Sequence, residues 1–76
     1  MNNETAHENR KNELYVPVTE KRYWTLHEAA QCTGIGMAKL REISNSSDCK
    51  FVLWVGSRRL LKRDKLIEYL DSAYSI

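Results

Sequence analysis

Three short helices around a β-hairpin, an α+β fold, is what the sequence predicts, on three observations. A capped helix and a second short helix are separated only by Gly34-Ile35-Gly36. A β-branched and aromatic run, Phe51–Val55, meets a two-residue glycine turn and a returning strand. An amphipathic segment then closes the chain. The order strand, helix, helix, two-stranded hairpin, C-terminal helix is that of a small winged helix-turn-helix.

The elements follow in order. The first thirteen residues hold two apolar side chains, Met1 and Ala6, so 1–13 is expected to be a flexible polar tail. One packed domain is expected over 14–76. Leu14–Val18 reads as a short extended segment, which Pro17 restricts to an edge strand or an extended lead-in. Thr25-Leu26-His27-Glu28 has the capping-box spacing, and Leu26, Ala29 and Ala30 recur at helical spacing until Gly34 stops the helix near Thr33. A second helix is expected over Met37–Ser44, with Leu40 and Ile43 turned to the first. Asn45–Asp48 is a turn cluster. The strand Phe51–Val55 turns at Gly56-Ser57, glycine leading as a type II′ hairpin prefers, and returns as Arg58–Leu61. A third helix is expected from Arg63 to Ala73, with Leu66, Ile67, Leu70 and Tyr74 on its apolar face. Trp24 and Phe51 are expected in the core, since a chain of 76 residues needs bulky side chains to close so small a sheet. Trp54 could face either way.

Charge separates the chain more sharply than its net +2 suggests. Residues 21–65 carry ten bases and four acids, a net of +6, between two flanks of net −2 each. A basic module points to a polyanion as partner. No apolar run exceeds the five residues Phe51–Val55, so neither a membrane span nor a signal peptide is expected, and a cytoplasmic location is. Cys32 and Cys49 form no disulfide framework, and His7, His27, Cys32 and Cys49 lack metal-site spacing. Gly34-Ile35-Gly36 lacks the third glycine of a dinucleotide fingerprint, and no nucleophile elbow occurs. No catalytic residue, metal or cofactor is expected.

Double-stranded DNA is the polyanion that this arrangement suits. On the second helix the positions turned away from Leu40 and Ile43 are Met37, Ala38, Lys39, Arg41 and Glu42. Arg41 can donate bidentately to a guanine edge, Lys39 can do so or hold a phosphate, and Glu42 can accept from cytosine or orient Arg41. Arg58 and Arg59 stand beside the hairpin tip, where an arginine can enter a narrow minor groove or clamp a phosphate. Lys62, Arg63 and Lys65 extend the basic stripe to the start of the third helix, against its macrodipole, which favours phosphate contacts for them too. A solvated helix face and a charge-protected strand edge are the plainer readings of the same residues.

The stretches Arg22–Ala30, Gly34–Arg41, Phe51–Arg58 and Leu61–Arg63, followed by an amphipathic helix, resemble the excisionases of conjugative transposons. The likeness covers roughly residues 16–76. Thr25-x-x-Glu28-Ala29-Ala30 before a Leu-Arg recognition helix also occurs in MerR-like domains. The resemblance implies a non-catalytic recombination directionality factor that binds and bends DNA near the ends of a mobile element and helps a tyrosine integrase to excise it. It also implies Met37–Ser44 as recognition helix, with Lys39 and Arg41 in contact, and Val55–Arg59 as wing, with Arg58 in contact. Arg59 stands where an aliphatic residue is expected, and Glu42 where a second base is common. One winged domain reads few base pairs. An architectural protein working with an integrase, or with copies of itself on adjacent DNA sites, therefore fits better than the alternatives. Those are a small MerR-like or phage-repressor-type regulator and a protein-interaction domain that never touches DNA.

Overall fold

The computed structural model describes residues 16–76, so the expected tail and the start of the lead-in lie outside the described residues. Three helices, α1 (Leu26–Thr33), α2 (Met37–Ser44) and α3 (Arg63–Ser72), pack with three strands, β1 (Tyr23–Trp24), β2 (Val52–Val55) and β3 (Arg58–Lys62). The strands form one antiparallel sheet in the order β1-β3-β2. The fold is the expected α+β arrangement, a winged helix-turn-helix whose wing is the β2–β3 hairpin.

Local chemistry sets the boundaries. The Thr25 hydroxyl accepts from the Glu28 amide at 3.1 Å while the Glu28 carboxylate accepts from the Thr25 amide at 3.1 Å, so both halves of the capping box form. Gly34 ends α1 with φ +80°, a left-handed conformation that costs glycine nothing. Gly56 has φ +63°, and Ser57 after it is not left-handed, which is the type II′ pattern. That loop pairs Val55 with Arg58 and Trp54 with Arg59.

Of the two readings of the lead-in, edge strand or extended segment, its described part takes the second. Val16 and Pro17 lie outside any strand, and Val18–Glu20 form a single 3-10 turn. The Val18 carbonyl accepts from the buried indole of Trp24 at 2.7 Å, so the lead-in satisfies a core donor that would otherwise be orphaned. The strand falls instead on Tyr23–Trp24, which pair with Lys62 and Leu61.

Nearly every element sends one side chain inward. Trp24, Ala29, Leu40, Phe51, Leu61 and Leu66 are buried and mutually packed. On α3 the expected apolar face is corrected: Leu66 is buried and Leu70 half-buried, but Ile67 and Tyr74 are exposed. Ile67 lies about 100° around the helix from Leu66. Tyr74 lies beyond the helix end, where Ala73 has already turned extended. Tyr69 packs on Phe51 instead, ring centroids 5.1 Å apart.

Candidate nucleic-acid interface

Helix α2 spans the predicted residues and divides as predicted. Leu40 is fully buried and Ile43 half-buried, while Met37, Ala38, Arg41 and Glu42 are exposed and Lys39 is partly so. Lys39 Nζ meets Glu42 Oε1 at 3.3 Å, an i,i+3 pair on the open face. Such a pair is worth a few tenths of a kcal/mol, on the order of 0.3, and gives way readily to a stronger partner. Arg41 and Arg58 make no ion pair among the described residues, and both are exposed.

Arg59 behaves differently from its neighbour. Side chains alternate along β3, so Arg59 shares the helix-facing side with Leu61, and Arg58 the opposite side with Leu60 and Lys62. The Arg59 guanidinium donates to Ser44 Oγ at 3.2 Å and to Asn45 Oδ1 at 2.7 Å, and Nη1 lies 3.5 Å from the Arg41 carbonyl. It also lies over the Trp54 ring, 4.8 Å from its centroid. The buried Ser44 hydroxyl in turn donates to the Arg41 carbonyl at 3.1 Å. The end of α2 and the wing are thus tied together at one residue.

The stripe expected beyond the wing is divided. Lys62 sits four residues from Arg58, about 13 Å along an extended strand, and is half-buried. Arg63 is held by Asp64 at 2.9 Å and by the Thr19 carbonyl at 3.0 Å. Lys65 pairs with Glu68 at 3.6 Å. The structure therefore gathers Met37, Lys39, Arg41 and Glu42 on one helix and ties it to the wing that carries Arg58. It turns Arg59 inward and leaves Lys62 and Arg63 at the far end of β3.

Sequence reading missed the partners of Arg59, namely Trp54, Ser44 and Asn45. The Trp54 pairing was legible, because a two-residue loop at Gly56-Ser57 places residues 54 and 59 opposite each other. The contacts with Ser44 and Asn45 depend on how the hairpin leans on α2, and no local signal carries that. Arg22, exposed and without an ion pair among the described residues, is a further cation that the prediction left unassigned.

Glu28 is a titratable group that the fold shifts. The hydrogen bond from Lys21 at 2.7 Å holds its carboxyl below the usual glutamate range. The Thr25 amide and the charges of Lys21 and Arg58 act the same way, against partial burial. Among the described residues no cluster of His, Cys, Asp or Glu could hold a metal ion, and no helix is long and apolar enough to cross a membrane. A groove of about 750 Å³ between the α2–β2 loop and α3 is lined by Lys50 and Lys65 but by none of Met37, Lys39, Arg41, Glu42 or Arg58.

Two short helices with an exposed arginine on the second, joined to a β-hairpin that carries another, define the winged helix-turn-helix class. Within it the chain belongs to the family described as the excisionase from transposon Tn916, whose model matches residues 9–76. No curated protein and no solved structure matches it. Membership places the chain among the DNA-binding accessory proteins of excision.

Proposed function

We propose that this protein binds duplex DNA at the ends of its mobile element, bends it, and promotes excision by a tyrosine integrase. Helix α2 enters the major groove, where Arg41 reads a base edge. Met37, Lys39 and Glu42 frame that contact. The wing lays Arg58 on the adjacent minor groove or its phosphates, and Lys62 is an outlying backbone contact, while Arg63 is held by Asp64 and the Thr19 carbonyl.

The observation that carries this reading is the pair of exposed guanidinium groups of Arg41 and Arg58, neither ion-paired among the described residues, on two elements that a third arginine ties together. A second feature supports close approach to a backbone. Gly36 caps α2 with an ordinary φ of −63°, and a Cβ there would meet nothing within 4 Å. Nothing inside the protein requires a glycine at that position. A small residue at a helix N-terminus does suit a phosphate lying against it.

One recognition helix is too small for a unique site, so specificity comes from bending, from repeated sites occupied by further copies, or from the integrase. The test is footprinting on the ends of the host element with and without the integrase, alongside an excision assay. Protected sites near the ends, with excision dependent on them, are expected. Protection confined to a promoter, with normal excision in the protein's absence, would identify a regulator instead.

A further inference from the structure

Arg59 is costly to place where it stands. Its position faces the helices, its Nε is buried without a hydrogen-bond partner among the described residues, and an aliphatic side chain would fill the same strand position with no orphaned donor. What an aliphatic residue cannot do is reach two chain segments at once. The guanidinium has its two Nη atoms on Ser44 Oγ and Asn45 Oδ1 and its face on Trp54. Ser44 and Asn45 are the last residue and the C-cap of α2, and Nη1 lies beside the Arg41 carbonyl. A cation at that helix end also suits the macrodipole. The fork therefore joins β3 and β2 of the wing to the very turn of α2 that carries Arg41.

Building on the DNA-binding reading above, we infer that Arg59 is a positioning residue rather than a DNA contact. It sets the distance and angle between the wing and the recognition helix, and hence whether Arg41 and Arg58 reach adjacent grooves together. Two rigid readers lose affinity when their spacing drifts, even if each remains intact, because simultaneous engagement fails. A planar fork is needed for this. Lysine at 59 would keep the charge but offer a single nitrogen, unable to span Ser44 and Asn45 as the fork does.

The discriminating experiment measures duplex binding against salt for the wild type, Arg59→Lys, Arg59→Gln, Asn45→Ala and the Arg59→Lys/Asn45→Ala pair, with a melting temperature for each. A duplex from the element's end and a random duplex of equal length are the probes. Affinity for the element-end duplex should fall on the order of tenfold in Arg59→Lys and in Asn45→Ala, and the double variant should be little worse than either single one. The salt slope should be unchanged in Arg59→Gln, because no phosphate contact has been removed. A slope reduced by about 0.9 in Arg59→Gln, or wild-type affinity in Arg59→Lys, would make Arg59 an ordinary phosphate contact and overturn the inference. Additive losses in the double variant would overturn it as well. If the Arg59 variants melt too low to assay, Asn45→Ala decides alone, since that exposed side chain is not in the core: undiminished affinity refutes the role. A wild type that binds neither duplex removes the interface itself, which is a different result from any of these.

Discussion

The salt dependence of DNA binding is set by which cations the fold leaves free. Of the ten bases in residues 21–65, Lys21 and Arg63 are paired with carboxylates, and Arg59 is committed to Ser44 and Asn45. Lys50 and Lys65 line the groove beside α3, away from the α2 face. That leaves Arg22, Arg41, Arg58 and Lys62, with Lys39 able to exchange Glu42 for a phosphate. If all five met phosphates, log K would fall with log salt at a slope of about −4.5, and with Arg41 on a base edge nearer −3.6, each phosphate contributing about 0.9. A cruder count of the net +6 charge would give about −5.4. Fluorescence anisotropy on a random duplex across a salt series measures this directly. Arg58→Gln should lower the slope by about 0.9, and Arg63→Gln should leave it unchanged because that side chain is already doubly held. Arg41→Ala should cost roughly 1–3 kcal/mol on the element-end duplex and much less on the random one. A wild-type slope near zero would refute the polyanion reading. An Arg63→Gln shift as large as that of Arg58→Gln would refute the idea that internal pairing withdraws a cation from the interface.

Gly36→Ser should raise stability by a few tenths of a kcal/mol, about 0.3, because serine is the better N-cap, yet weaken DNA binding if α2 abuts a phosphate; thermal melts and anisotropy on one preparation check both halves. Glu28 has a folded pKa below its unfolded one, so its contribution is present at neutral pH and is lost as pH falls through and below the ordinary glutamate range. Glu28→Gln, which can still serve a capping box, should therefore flatten the acid side of a melting-temperature profile, and identical profiles for the two proteins would refute this. Tyr74 is fully exposed, so Tyr74→Ala with Ile76→Ala should leave the melting temperature and single-site affinity nearly intact while impairing excision with the integrase. Unimpaired excision by that folded, DNA-binding variant would show that the integrase is recruited elsewhere.

Local chemistry alone determined most of the elements. Thr25 and Glu28 cap α1, Gly34 ends it, and Gly56-Ser57 sets the hairpin register, because each acts through bonds or dihedrals a few residues away. The outward face of α2 was equally legible, since Leu40 and Ile43 leave only one side for Lys39 and Arg41. Tertiary structure decided what depends on elements distant in the chain. The buried Trp24 indole finds its acceptor at the Val18 carbonyl, in a 3-10 turn that the sequence did not signal, and the strand that pairs with β3 is Tyr23–Trp24. Ile67 and Tyr74 carry the helical spacing of a core face, but Phe51 and Leu61 lie on the side of Leu66 and Leu70. Arg58 and Arg59 are adjacent and chemically identical, and only their places on the strand tell them apart, Arg59 standing where an aliphatic residue is expected. Strand alternation sends one to solvent and the other toward the end of α2, where Ser44 and Asn45 are waiting.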